Sequence, residues 1–276
     1  MLKANYHTHT ELCGHAVGSV HDYVEEAVKL GFDELGMSDH AHTPEHFMSH
    51  DDYLRHGLER IMTNDDFDNI YKPQVLKEKE RKDIKVYLGL ETEYFPENHD
   101  YFVNLRKKVD YLVLGLHFFN YDGKSYSTYF DMDEKTILMY TDVVVKAMST
   151  GLYTIFAHPD LYMHSYQSPK GDRVFDEVCA DCAKRIIDSA IENDVYLEVN
   201  ANGIQNTFRD YPSLSKYLYP REEFWEMVRD TDAKIVIGAD AHKPEALGNE
   251  IVKEVIEFAE RLNLKVLDHV TLKAIE

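Results

Sequence analysis

Two histidines separated by one residue, in Asn5-Tyr6-His7-Thr8-His9-Thr10, have the spacing of a metal pair. On a strand, alternate side chains share a face, so the two rings would stand about 6.6 Å apart along the chain and could enter one centre without a turn. Read alone, such a pair serves equally well as polar contacts in a core. The pattern recurs, however. His15 follows in a polar loop, and Ser38-Asp39-His40-Ala41-His42 ends an apolar stretch. His40 and His42 would project toward one cavity, while Asp39 could orient a ring or a bound water. In Gly89-Leu90-Glu91-Thr92-Glu93, Glu91 could span two cations, because one carboxylate offers two oxygens. Gly115-Leu116-His117 and Ala157-His158-Pro159-Asp160 each put an imidazole where an apolar run gives way to a polar loop. Gly238-Ala239-Asp240-Ala241-His242 repeats the two-residue spacing. Imidazoles and carboxylates in this mixture suit Zn²⁺, Fe²⁺ or Mn²⁺. Such an ion lowers the pKa of water from about 15.7 toward roughly 7, so the expected chemistry is hydrolysis by a metal-activated hydroxide.

The elements that must position these residues alternate. Apolar runs at 2–8, 34–38, 84–89, 111–116, 151–157, 195–199 and 234–238 read as strands. Amphipathic patterns at 19–30, 99–108, 134–150, 174–193, 221–230 and 244–262 read as helices, with a last apolar run at 264–267. This order predicts parallel strands joined by crossover helices. Candidate donors follow nearly every predicted strand, which favours a closed α/β barrel with one reactive mouth over an open doubly wound sheet. The polar stretches 44–69, 161–173 and 200–220 read as insertions over that mouth. No linker or low-complexity tract divides the chain, so 1–276 is expected to form a single domain.

Composition narrows the partners. Fifty acidic residues against thirty Lys and Arg give a formal charge of −20, which would repel a polymeric nucleic acid while leaving room for a small phosphate pocket. No apolar run approaches the roughly 18–20 residues of a membrane span, and the start lacks a secretory segment. Cys179 and Cys182 form a Cys-x-x-Cys inside a helical pattern and read as structural thiols; with Cys13 as the remaining cysteine, a reduced, cytoplasmic protein is expected. Oligomeric state is left open.

Taken in order, His7-Thr8-His9, Ser38-Asp39-His40, Gly89-Leu90-Glu91, Gly115-Leu116-His117, Ala157-His158-Pro159-Asp160 and Gly238-Ala239-Asp240-Ala241-His242 resemble the PHP superfamily, the polymerase-and-histidinol-phosphatase group, and especially its histidinol-phosphatase branch. The resemblance spans nearly the whole chain. It implies a distorted (β/α)7 TIM-like barrel holding three divalent ions. His7, His9, Glu91 and Asp240 would surround one ion; Glu91 would bridge to a second held by His117 and His158; and His15, His40 and His242 would hold a third. The implied substrate is L-histidinol phosphate, giving L-histidinol and inorganic phosphate in histidine biosynthesis.

Around that centre, His42 is the candidate proton donor to the departing alcohol, with a pH-sensitive imidazole, and Asp39 is a candidate catalytic support. Arg173 and Arg209, with Lys243 as a weaker third, could bind phosphate; Glu93 and Glu198 could attract the substrate amine. Asp160 could organise the loop after His158, and the aromatic run 118–129 could cover an imidazole-sized group. Two other readings stay open: a phosphoesterase for another small metabolite or nucleotide, and a non-catalytic, metal-stabilised binding domain.

Overall fold

Strand formation follows the apolar runs. In the computed structural model, which describes residues 2–55, 57–58 and 61–273, the strands are β1 (Ala4–Asn5), β2 (Glu34–Met37), β3 (Lys85–Thr92), β4 (Tyr111–Leu114), β5 (Phe118–Tyr121), β6 (Lys124–Ser127), β7 (Ile155–Phe156), β8 (Tyr196–Asn200) and β9 (Ile235–Gly238). Seven of them form one sheet in the order β1-β2-β3-β4-β7-β8-β9, every pair parallel. β5 and β6 make a separate antiparallel hairpin. The sheet curls until its edges meet at a short seam. There Thr8 bridges Ala241, His9 N donates to Ala241 O at 3.0 Å, and Ala239 N donates to the Asn5 side chain at 2.7 Å. The result is a distorted, near-closed parallel barrel, as the strand–helix alternation predicts.

Helices cover the outside: α1 (Val20–Leu30), α2 (His50–Arg55), α3 (Asn64–Asp66), α4 (Lys72–Glu78), α5 (His99–Arg106), α6 (Glu134–Met148), α7 (Glu177–Glu192), α8 (Asn202–Asp210), α9 (Glu222–Arg229) and α10 (Glu250–Arg261). Their ends are written in side chains. Ser19 and Asp22 form a reciprocal cap on α1, which stops at the left-handed Gly31, and Asp133, Asp176 and Asn249 cap α6, α7 and α10. The buried stripe of α1, Val20, Tyr23, Val24 and Ala27, packs into the main core between sheet and helices. Cys179 and Cys182 lie in that core on α7 as free thiols, where burial pushes the Cys179 pKa up to about 12. Among the described residues, no helix is long and apolar enough to cross a membrane.

Three stretches depart from expectation. The segment 44–69 holds α2 and α3, and a π-helical turn at Phe67–Tyr71 leads into α4. The segment 200–220 holds α8, whose buried face is Gly203, Ile204, Asn206 and Thr207; that face is too polar to show apolar periodicity. The run 264–267 contributes only a bridge from Val266 to Ile235.

Inside the barrel, Tyr6, Tyr111, Val113, Ile155, Tyr196 and Val236 form a second core closed below by Val270. Tyr111 crosses the interior to donate to Tyr6 O at 2.7 Å. Two glycines make that possible: a Cβ on Gly89 would lie 2.4 Å from the Tyr111 ring, and one on Gly36 would lie 2.1 Å from its hydroxyl. The C-terminal segment is strapped beneath, with Val270 N donating to Tyr6 Oη and Thr271 N to Tyr196 Oη. Gly36→Ala should therefore cost roughly 1–3 kcal/mol through overpacking, and less in a Tyr111→Phe background that removes the clashing hydroxyl. Denaturant unfolding of the two single variants and the double would read this coupling; equal costs in both backgrounds would reject it.

Candidate metal centre

Each donor occupies the point where a barrel strand ends. His7 and His9 follow β1, His40 follows β2, Glu91 closes β3, His117 follows β4, His158 follows β7, and Asp240 and His242 follow β9. His15 reaches the same mouth from the loop after β1. His158 and Asp240 have positive φ, 34° and 47°, a backbone state that non-glycine residues hold only when their surroundings enforce it.

Glu91 is the hinge of the arrangement. Its Oε2 lies 3.3 Å from His7 Nε2, 3.5 Å from His9 Nε2 and 3.1 Å from His40 Nδ1. Its Oε1 lies 3.2 Å from His158 Nε2 and 3.6 Å from His117 Nε2. Asp240 Oδ1 completes the first group at 3.1 Å from His9 Nε2 and 3.6 Å from His7 Nε2. Donors about 2.0–2.1 Å from a tetrahedral ion stand about 3.3–3.4 Å from one another, so these separations fit a shared cation. Further groups of donor atoms within 4.8 Å of one another include His9, His40 and His242. The ring of His15 lies 5.2 Å from that of His40 and 4.9 Å from that of His242. The His15 and His242 Nδ1 atoms each face a backbone carbonyl at 3.0 Å, of Cys13 and Asp240 respectively, which leaves Nε2 as the nitrogen a cation would use.

Burial makes the fit chemical as well as geometric. His7 Nε2, both ring nitrogens of His9, and Glu91 Oε2 are buried with no hydrogen-bond partner, a costly condition unless something charged completes them. Burial favours neutral Glu91 and Asp240, yet the surrounding imidazoles hold both well below the carboxylate range. His15, His40 and His242 are pushed down, His242 to about 4, by burial and by neighbouring imidazoles. They therefore present lone pairs at neutral pH. His7 and His9 go the other way: burial opposes their charge, but Glu198 and Asp240 beside His7, and Asp240 and Asp39 beside His9, raise them, His9 to about 9.

Behind the donors stands a layer of orienting groups. Glu198 lies 2.8 Å from His7 Nδ1 and Glu93 lies 3.0 Å from His117 Nδ1. Both glutamates are buried, so each turns to the far nitrogen of a ring instead of an open substrate space. Gly115 and Gly238 make room for this layer: a Cβ on the first would lie 1.9 Å from Glu91 Oε1, and on the second 2.3 Å from Glu198 Cδ. Asp39 sits behind His9, 3.6 Å from its Nδ1, and accepts from Thr10 N, from the Thr10 hydroxyl and from His40 N. Tyr71, delivered by the π turn, donates to Gly89 O and accepts from Asp39 N. Asn200 and Asn202 reach Asp240 Oδ2 at 3.2 and 3.3 Å. The sequence offers the segment 200–209 as a shaper of the pocket but does not single out either amide as a partner of Asp240, and it gives no sign of Cys13 at the site. Cys13 lies between His9 and His15 in the chain, and its thiol clusters with His15 and His242 and with His9 and Asp39.

The remaining candidates have the following partners and surroundings. His42 is half-buried and its carbonyl accepts from Tyr101 at 2.5 Å. Arg173 donates to His164 O and to the Tyr211 hydroxyl and lies 4.2 Å over the Tyr211 ring. Arg209 is largely exposed and paired with Asp210. Lys243 borders a cleft of about 170 Å³ beside Asp240 and His242, with Asn202, Gln205 and Asn249. Asp160 is buried, accepts from Arg221 N at 2.5 Å, and has its pKa pushed by burial to about 7. A larger depression, about 1150 Å³, lies at the opposite end of the barrel, away from every donor. Three of its cations have acidic partners nearby, Arg81 in Glu25 and Asp83, Lys79 in Asp110, and Lys85 in Glu34.

Two outcomes follow. Glu198→Gln should weaken metal affinity about 10–100-fold by loosening His7; equilibrium titration with a competing chelator measures this, and wild-type affinity would remove Glu198 from its orienting role. Because His9 keeps a proton up to about pH 9 in the metal-free protein, metal must displace protons, and apparent affinity should rise as pH increases toward 9. Titrations in buffers of differing ionisation enthalpy would detect the released protons.

A Deinococcus radiodurans protein named probable histidinol-phosphatase is 23% identical over 265 residues, covering 92% of this chain and 93% of its own. The Bacillus subtilis histidinol-phosphatase is 23% identical over 281 residues, with 90% and 96% covered. Among solved structures, the Lactococcus lactis histidinol phosphate phosphatase, complexed with zinc, L-histidinol and phosphate, superposes with a TM-score of 0.66 at 16% identity, covering 96% of this chain and 95% of that one. The PHP domain matches residues 5–202, which carry seven of the nine donors; on that match the chain belongs to the PHP domain family.

Proposed function

We propose that this protein is a metal-dependent histidinol-phosphatase, hydrolysing L-histidinol phosphate to L-histidinol and inorganic phosphate as a step of histidine biosynthesis in the cytoplasm. The observation that carries the reading is Glu91, one buried carboxylate whose two oxygens face two separate sets of imidazoles. The names of the full-length relatives support the substrate. We take residues 1–276 as one catalytic unit, because β9 lies beyond the matched 5–202 and supplies Asp240 and His242.

Three divalent ions, drawn from zinc, iron and manganese, would be held by His7, His9, Glu91 and Asp240; by Glu91, His117 and His158; and by His15, His40 and His242. When bound, they supply Lewis acidity and a water of lowered pKa. The chain's own residues do the rest. Glu198 and Glu93 fix the rings of His7 and His117, which sets where the phosphoryl group can sit. Asp39, anchored by Thr10, holds His9. Arg209 at the rim is the proposed partner of the phosphate oxygens, while Arg173 holds the wall that carries His164 and Tyr211. His42 is the proposed proton donor to the departing alcohol.

A second reading has one specific observation in its favour. Glu93 and Glu198, the carboxylates expected to meet a substrate amine, are engaged by histidine rings. The cleft beside Asp240 and His242 instead offers amides and Lys243, which would suit a phosphate ester without an amine.

The deciding experiment is phosphate release during controlled reconstitution with Zn²⁺, Fe²⁺ or Mn²⁺, comparing L-histidinol phosphate with sugar phosphates, nucleotides and short oligonucleotides. The expected result is preference for L-histidinol phosphate, lost by more than about 100-fold in Glu91→Gln together with bound metal. Preference for another monoester would replace the substrate, and a fully metallated protein that releases no phosphate from any of them would leave a binding domain.

A further inference from the structure

Two acids serve His7 from opposite sides of its ring. Glu198, on β8, places Oε1 and Oε2 at 3.1 and 2.8 Å from Nδ1. Asp240, after β9, places Oδ1 at 3.6 Å from Nε2 and at 3.1 Å from His9 Nε2. Between the two acids lies one neutral side chain, Asn200, which ends β8 and is 1% exposed. Its Nδ2 donates to Glu198 Oε1 at 2.6 Å and to Asp240 Oδ2 at 3.2 Å. A primary amide carries two N–H groups, so both bonds form at once.

The orientation of this amide is fixed. Gly203 N donates to Asn200 Oδ1 at 2.8 Å, and only the oxygen end can accept from an N–H. The same bond answers a free N–H at the start of α8, where Ala201 supplies no side-chain cap. The strands below add their own restraint. Asn200 stands opposite Gly238 in the β8–β9 register, and Ala201 N donates to Gly238 O at 2.9 Å. Asp240, in contrast, holds φ 47°, a backbone state that its surroundings must impose. Its Oδ2 accepts from Asn200 and, at 3.3 Å, from Asn202, which leaves Oδ1 as the oxygen turned to the imidazoles.

We infer that Asn200 is a positioning residue of the metal centre, locking Glu198 and Asp240 into one unit so that His7 and Asp240 Oδ1 are presented to a cation together. Without its two N–H groups, Asp240 could swing and offer either oxygen, and Glu198 would lose the contact that holds it against His7. The consequence for turnover rests on the hydrolase reading of the site; the consequence for metal binding needs only the donors.

Asn200→Ala and Asn202→Ala are compared with wild type for Zn²⁺ affinity against a competing chelator, for the visible spectrum of the Co²⁺-loaded protein, and for kcat and KM on L-histidinol phosphate and p-nitrophenyl phosphate at saturating metal. The expected result for Asn200→Ala is affinity weaker by about 10–100-fold, an altered Co²⁺ spectrum, and kcat lower by on the order of 10–100-fold with KM nearly unchanged. Asn202→Ala should lose less, because Asn200 still holds Oδ2. If Asn200 merely closes the start of α8, its variant loses thermal stability yet keeps wild-type affinity and spectrum, and that result overturns the proposal. Equal losses in the two variants would overturn the linking role as well, by assigning the whole effect to Oδ2. Should Asn200→Ala fail to fold, wild type labelled with ¹⁵N-asparagine carries the test: the Asn200 side-chain amide signals should shift on titration with Zn²⁺, and signals that stay in place sink the idea. Wild type that cleaves only p-nitrophenyl phosphate removes the histidinol-phosphate reading alone. Wild type that takes up metal and cleaves neither ester removes the hydrolase reading, with the positioning role still decided by affinity and spectrum; wild type that takes up no metal removes both.

Discussion

A carboxylate placed in a water-free interior is among the least favourable groups a fold can bury, and Glu91 is 1% exposed. The desolvation penalty amounts to several kcal/mol for an unanswered ion. Here it is answered on both oxygens by rings arriving from β1, β2, β4 and β7. No single element could supply them. The barrel's geometry, which brings consecutive strand ends to one rim, is therefore tied to the electrostatics of this one side chain. Without metal, protons shared among His7, His9 and their carboxylates compensate the charge; cations would take over that role and relieve the unpartnered nitrogens.

Much of this was readable from the chain. The donors announce themselves because each stands at the transition from an apolar run to a polar loop, and a two-residue spacing on a strand keeps both members on one face. The alternation of parallel strands with the helices α1, α6, α7 and α10 follows from periodicity, while the number seven is what the family resemblance implies. What escaped shares a physical cause: it depends on space, and spacing does not encode it. The parity rule puts Glu91 and Glu93 on one face, yet cannot say that the second turns to His117 Nδ1. The glycines of Gly89-Leu90-Glu91, Gly115-Leu116-His117 and Gly238-Ala239-Asp240 look like turn residues, whereas their missing side chains accommodate Tyr111, Glu91 and Glu198. α8 does not stand out in the sequence because its buried face is glycine, asparagine and threonine as much as isoleucine.

The two ends of the barrel solve opposite problems. At the mouth, polar atoms are left incomplete in a buried setting. At the base, the tyrosines of the interior are satisfied in turn by one another, by Glu34 and by the backbone of the C-terminal strap. Lys79, Arg81 and Lys85 around the basal depression are likewise matched by nearby acids. An acidic protein with a formal charge of −20 thus leaves four unpartnered polar atoms of His7, His9 and Glu91 together at its mouth.

The seam between β1 and β9 joins residues separated by more than two hundred positions, through a single bridge and a side-chain surrogate, Asn5, in place of a ladder. β1 must consequently wait for β9 before its edge is covered, and contacts of such long sequence separation form slowly. His7 and His9 on one lip and Asp240 and His242 on the other would be cross-linked by the same cations. Ion uptake would then act as the fastening of the cylinder, coupling the moment at which the protein gains its chemistry to the moment at which its architecture locks.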